Sequence, residues 1–212
     1  MAKRSLLIAV DGPAASGKGT IAKALARHYD LPHMDTGLLY RAVALALWRF
    51  GGDAGNEFEA LRAVEGVHQI DPDDEELRTE TVGKLASRVS AYPAVRAALL
   101  DRQRLFAAQK GGAVLDGRDI GTVIAPDATA KLFVTASPEV RAERRLKEIL
   151  ARGVTAHFED VLADIRSRDE RDKGRDAAPL VQADDADLLD TSDLGVEEAI
   201  AAAIALVDKR IS

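Results

Sequence analysis

Cysteine is absent from this 212-residue chain, which excludes disulfides and thiolate metal sites. Aromatic residues make up only 4%, a composition that suits helices packed on a sheet better than an aromatic-rich β-sandwich. A net positive balance is also missing: the formal net charge is −6, so the molecule offers no broad basic field to a nucleic-acid polymer or an acidic membrane. No stretch approaches the roughly 20 apolar residues of a membrane span. The apolar run Leu6-Leu7-Ile8-Ala9-Val10 is too short for a secretory core and stops at Asp11. These absences lead to the expectation of a soluble, cytoplasmic protein that holds any anionic ligand through local arginines.

With 47% hydrophobic residues, the chain is long enough for one sizeable core. Residues 6–10 read as a buried parallel strand, followed by a glycine-rich turn and a helix over 18–29 in which Ile21, Ala22, Leu25 and Ala26 recur at helical spacing. A short strand over 32–35 and an Ala/Leu-rich helix over 37–50, stopped by Gly51-Gly52, come next. Pattern weakens over 53–81, the candidate insertion. Helical periodicity returns over 93–110, and strands are expected at 113–115 and 131–134. Ser137-Pro138 supplies a cap and first residue for a helix reaching Gly153. A helix over 158–171, a strand over 188–191 and a helix over 196–209 complete the pass. Strands alternating with helices predict an α/β fold with a doubly wound parallel sheet.

Gly12-Pro13-Ala14-Ala15-Ser16-Gly17-Lys18-Gly19-Thr20 carries the strongest chemical signal. Backbone N–H groups of such a loop wrap a phosphate, the following helix presents its N-terminal dipole, and Lys18 reaches the β- and γ-phosphates of a nucleoside triphosphate. The strict pattern has Ser or Thr directly after the lysine to hold magnesium. Here Gly19 stands there and Thr20 comes one later, so water-mediated magnesium is expected rather than direct ligation.

Three further segments bear on the reaction. Asp35-Thr36-Gly37-Leu38-Leu39-Tyr40-Arg41 falls at the carboxyl end of the second strand, the ligand side of an open α/β sheet, and Arg41 can pair a phosphate bidentately. Alone, the segment reads equally as a solvated helix with Thr36 as its cap. Asp116-Gly117-Arg118-Asp119-Ile120-Gly121-Thr122 follows the next strand and puts an arginine and two carboxylates at the same edge, although a polar βα turn is the plain alternative. In Arg168-Asp169-Glu170-Arg171-Asp172-Lys173-Gly174-Arg175, residues 168, 172 and 175 share one helical face as far as the helix persists, which could equally be a solvated charged face.

Together these four segments, with Ala178-Pro179-Leu180, resemble the bacterial cytidylate kinase family from Ile8 to Asp190. The resemblance implies a single P-loop domain over 1–212 with a five-stranded parallel sheet. Its core would span 1–40, 111–143 and 172–212, with an inserted monophosphate-binding region at about 41–110 and a short lid at about 144–171. Ala14-Ala15-Ser16 stands where relatives commonly have Ser-Gly-Ala, and Thr36 replaces a frequent serine. The region over 53–81 looks shorter than in many relatives.

Carried over residue by residue, the resemblance gives the cytosine base to Ser87, Arg96 and Asp119, and the acceptor phosphate to Arg41, Arg118 and Arg175. It gives the sugar to Arg168 and Asp172, with Thr36 also at the CMP site. Cytosine offers an amino donor at N4 where uracil offers a carbonyl, so a carboxylate acceptor favours CMP over UMP. Without the resemblance, Ser87 and Arg96 read as surface helix residues. Lys18, Arg118, Arg144 and Arg145 would stabilise the phosphoryl group in transfer, a reaction that asks for positioning and charge rather than a dedicated base. Arg141 reads equally as part of a solvated helix end. The implied ligands are ATP with Mg2+ and CMP or dCMP, bound by a monomer. Kinases acting on UMP, AMP or shikimate and a nucleotide-dependent switch are the rival readings. No Asn-Lys-x-Asp segment favours the switch.

Overall fold

Strand β1 (Leu6–Asp11) lies at the centre of a five-stranded sheet in the computed structural model, which describes residues 5–212. The order is β2-β3-β1-β4-β5, with β2 at His33–Asp35, β3 at Gly112–Gly117, β4 at Ala130–Thr135 and β5 at Asp187–Asp190. The pairings of β1 with β3, β1 with β4 and β4 with β5 are parallel. A central parallel strand has no solvated face, which is why residues 6–10 are uniformly apolar and β3 is buried at all six positions. The predicted strand over 113–115 therefore extends to Asp116 and Gly117, paired with Val10 and Asp11.

The backbone divides into two units. The first comprises the described residues up to Met34 together with Ala107–Ser212, and the second is Asp35–Phe106. In the first, α1 (Lys18–Tyr29) and α8 (Val196–Ile211) cover the sheet through a core that includes Ile8, Val10, Leu25, Leu132, Ala203 and Val207. Helices α6 (Pro138–Ala151) and α7 (Phe158–Lys173) pack on each other through Ala142, Ile149, Val161, Leu162 and Ile165, and Ala15 of the phosphate loop rests against this cluster. The start of α6 follows the sequence reading: Ser137 Oγ accepts from Val140 N at 3.3 Å and Pro138 takes the first turn.

The second unit is helical. It contains α2 (Thr36–Arg49), α3 (Glu57–Ala63), α4 (Glu80–Val89) and most of α5 (Pro93–Ala107), with single tight turns at Val64–Gln69 and Glu75–Arg78. Helix α5 stops three residues short of the expected 110. The weakly patterned 53–81 stretch is also helical in part, because Asn56 caps α3: its Oδ1 accepts from Phe58 N at 3.0 Å and its amide donates to Glu59 Oε1 at 3.0 Å. That local Asn-x-x-Glu signal is present in the sequence and was outweighed by the surrounding Gly and Asp. Thr79 caps α4, an element the sequence reading did not delimit.

Candidate active site

The phosphate loop begins where β1 ends, and its backbone explains its composition. At Gly12 any Cβ would lie 2.0 Å from the Val134 carbonyl oxygen of β4, so no side chain fits there. Gly17 (φ 86°) takes the left-handed conformation glycine tolerates, whereas Ala15 (φ 58°) adopts it against the preference of an L residue. Within the loop, Lys18 Nζ donates to the Pro13 carbonyl at 3.3 Å. Ser16 Oγ is fully buried and has no hydrogen-bond partner among the described residues, an open hydrogen-bonding position within the loop. Thr20, in the first turn of α1, is exposed.

Two elements brace this loop. Arg144 NH2 donates to the Thr191 carbonyl at 2.6 Å and NH1 to Thr191 Oγ1 at 3.0 Å and to the Ser16 carbonyl at 3.5 Å. Thr191, buried at the end of β5, in turn donates to the Ser16 carbonyl at 3.1 Å. Arg141 is not part of a solvated helix end. It is 3% exposed, forms a fork with Asp169 of α7 at 2.9 and 2.6 Å, and donates to the carbonyls of Ala136 (2.9 Å) and Ala14 (3.3 Å). Arg145, by contrast, donates to Glu148 on its own helix at 2.8 Å.

A cluster of arginines forms around Asp172 in this unit. Arg118 Nε donates to its Oδ2 at 2.8 Å. Burial alone would raise the Asp172 pKa, but the charges of Arg118, Arg168 and Arg175 and the Arg118 hydrogen bond together hold it below the ordinary carboxylate value. Arg175 is not on the α7 face, since the helix ends at Lys173. It returns because the chain folds back, with Leu180 N donating to the Asp172 carbonyl at 2.7 Å and Arg175 NH2 donating to the Ala178 carbonyl at 2.7 Å. The Ala178-Pro179-Leu180 phrase is therefore the return that closes this cluster. Asp119 is buried at the turn after β3. At the edge of the sheet, His33 Nε2 and Asp116 Oδ1 are hydrogen-bonded at 2.7 Å.

In the second unit, Arg41 of α2 lies over α4: NH1 donates to the carbonyls of Leu77 (2.6 Å) and Thr79 (3.3 Å), and a Cβ on Gly83 would come within 3.0 Å of NH2. Ser87, one turn beyond Gly83 on that face, is buried, so its reading as a surface residue is corrected. Arg96 stacks over the Tyr40 ring at 5.6 Å and donates to the Ser90 carbonyl at 3.3 Å. Thr36 is the buried first residue of α2, whose capping position is Asp35. Arg41, Ser87 and Arg96 thus lie on three helices of this unit, α2, α4 and α5, with Arg41 over α4 and Arg96 over Tyr40 of α2.

Sequence reasoning passed over Asp11, His33 and Thr191. A polar residue ending an apolar strand gives no local sign of its partners. Asp11 is buried, its two oxygens accept from Ile120 N (2.8 Å) and Gly121 N (2.7 Å), and burial raises its pKa to about 7 against the lowering effect of these bonds.

Comparison with known proteins shows the family. The chain is 62% identical over 207 residues to a cytidylate kinase of Xanthobacter autotrophicus, covering 97% of this chain and 98% of the relative. It is 61% identical over 206 residues to a cytidylate kinase of Azorhizobium caulinodans, covering 96% and 98%. An uncharacterized protein from Eubacterium ventriosum shares the fold at 16% identity, with a TM-score of 0.57 over 96% of this chain and 98% of that one. The profile described as cytidylate kinase matches residues 8–209, which takes in the loops after β1 and β3, the arginine clusters and the helical second unit. Identity of this extent across nearly the full length of both chains makes the protein a member of the cytidylate kinase family.

Proposed function

We propose that the protein transfers the γ-phosphoryl group of ATP to CMP or dCMP, giving ADP and CDP or dCDP. One observation carries the reading. The phosphate loop and the Arg118-Asp119 segment leave adjacent parallel strands at the same carboxyl edge, Asp11 facing Gly117 in register, where an open α/β sheet holds its ligands. Family membership supplies the identity of the two nucleotides.

Roles follow from the residues. Backbone N–H groups over 12–20 and Lys18 hold the ATP phosphates, Ser16 Oγ offers a further hydrogen bond, and the N-terminus of α1 adds its dipole. In the first unit, Arg118 and Arg175 take the acceptor phosphate, Arg168 and Asp172 the sugar, and Asp119 the cytosine amino group. In the second, Arg41 takes phosphate, Ser87 and Arg96 the base, and Thr36 lies at the start of the helix that bears Arg41. Arg144 and Arg145 balance charge on the transferring group, Arg145 by exchanging Glu148 for phosphate. The reaction needs in-line positioning and charge stabilisation, so no general base is assigned.

Among the described residues no three His, Cys, Asp or Glu side chains gather to hold a metal ion. Magnesium would be carried in by the triphosphate and held largely through water, with the Thr20 hydroxyl in the first turn of α1. Bound there, magnesium supplies charge neutralisation at the phosphates. We assign 144–171 as a lid that excludes water, within a single domain that acts as a cytoplasmic monomer without nucleic-acid or membrane partners. No helix among the described residues is long and apolar enough to cross a membrane.

Coupled ADP release with MgATP tests the reading, with CMP, dCMP, UMP, AMP and shikimate as parallel acceptors. The expected result is turnover that depends on CMP or dCMP far more than on the others. ADP release indifferent to acceptor would overturn it and favour a nucleotide switch.

A further inference from the structure

Asp11 belongs to no group that touches the nucleotides in the reading above, yet it bounds a segment that does. Its backbone pairs in register with Gly117 at the end of β3. Its carboxylate accepts from the N–H groups of Ile120 (2.8 Å) and Gly121 (2.7 Å), the first two residues of the helical turn Ile120–Ile124. Only Arg118 and Asp119 lie between these anchors. The two residues form an arch fixed at both feet on one strand residue, and that residue is followed directly by Gly12 of the phosphate loop.

We propose that Asp11 is a positioning residue that sets Arg118 and Asp119 in fixed relation to the phosphate loop, and through Asp119 sustains discrimination for cytosine over uracil. This rests on the reading of the chain as a CMP kinase. A carboxylate suits the task because both oxygens accept, so two adjacent amides are satisfied without water, and a charged acceptor strengthens both bonds. Gly121 fits the contact closely: a Cβ there would meet Lys131 Cδ at 3.2 Å and Asp11 Oδ2 at 3.4 Å. The charges acting on Asp11 are Lys18 on α1 and Asp119 in the arch; Asp116 of β3 and Lys131 of β4 pair with the neighbouring strand residues Val10 and Ala9. Asp119 opposes and Lys18 favours the ionised form.

Asp11→Asn keeps the shape but presents an amide donor to one of the two N–H groups. At pH 8 the expected result is a fall in kcat with CMP of roughly tenfold to a hundredfold, the scale of a 1 Å misplacement at a reacting centre. The CMP-to-UMP ratio of kcat/KM should fall at least about tenfold, with KM for ATP changed less than about threefold. A retained ratio overturns the proposal. So does a rise in KM for ATP as large as the loss of selectivity, which is the pattern of a generally loosened site. If the variant does not fold, the unmodified protein is assayed from pH 6 to 8.5. The ratio should then fall as pH drops through about 7, where Asp11 takes up its proton, the phosphate titration common to CMP and UMP cancelling. A flat ratio overturns the proposal. Absence of any CMP turnover in the unmodified protein sinks the kinase reading and this inference together, whereas an active, selective enzyme indifferent to Asp11 sinks this inference alone.

Discussion

Replacing Arg141 with alanine removes a guanidinium that is 3% exposed and bonds four oxygens: both of Asp169 and the carbonyls of Ala136 and Ala14. The Asp169 carboxylate is then left nearly enclosed without its counter-charge, its side chain being 14% exposed. Breaking one side of such a buried pair destabilises by about 3–5 kcal/mol. For a chain of 212 residues, each kcal/mol shifts Tm by about 2–4 °C, so a fall of about 6–20 °C is expected in a calorimetric or circular-dichroism melt. KM for ATP should rise severalfold as well, because the contact with Ala14 steadies the phosphate loop. The double variant Arg141→Met with Asp169→Leu removes both charges and should recover most of the lost Tm, since a buried ion pair replaced by apolar groups is often neutral in stability. A drop of less than about 3 °C for Arg141→Ala would refute the reasoning and return this arginine to the status of an ordinary surface residue.

Other outcomes are expected from the same geometry. Ala15→Gly relieves a left-handed backbone at φ 58°, a conformation that disfavours an L residue by about 1–2 kcal/mol. Allowing for the greater unfolded-state freedom of glycine, Tm should rise by up to a few degrees with KM for ATP unchanged. Lys18→Met should depress kcat far more than CMP affinity, measured by calorimetric titration, and equal loss of both would count against a role on the transferring phosphate. Stability should also carry the mark of Asp11. Its folded pKa of about 7 lies above its ordinary 3.8, so its contribution is fully present below about 3.8 and is lost as pH rises through about 7. In urea unfolding between pH 5 and 8, Asp11→Asn should therefore gain stability relative to the unmodified protein by roughly 1–3 kcal/mol, and parallel curves would contradict this assignment.

Much of the scaffold was legible because it is written in local pattern. The continuous apolar run at 6–10, cut off by Asp11-Gly12-Pro13, reads as a strand buried on both sides, and Ser137-Pro138 marks a helix start through a cap and a residue that needs no N–H. The phosphate loop was equally plain, since its small residues answer a steric demand within the loop and against β4. Legibility failed at 53–81, where the Asn56 cap was present but the helix it starts is short. It failed again at Arg175, placed on a helical face that ends at Lys173 before the chain returns through Ala178-Pro179-Leu180. Periodicity says which residues would share a face and not where the helix stops.

The sequence by itself determined the phosphate loop, the alternation of strands and helices and the family, because each depends on residues adjacent in the chain or at fixed helical spacing. Tertiary structure alone decided the fate of single charged and polar side chains. Arg141 and Ser87, for which the residues alone left a surface position open, are buried; Asp11 and Thr191, which the sequence did not single out, hold loops in place, and His33 bonds Asp116 of β3. The physical reason is range. A cap or a strand is specified by neighbours a few residues away, whereas the partners that bury a charge come from other elements tens of residues to more than a hundred residues distant, as in Arg141 with Asp169 and Asp11 with Gly121.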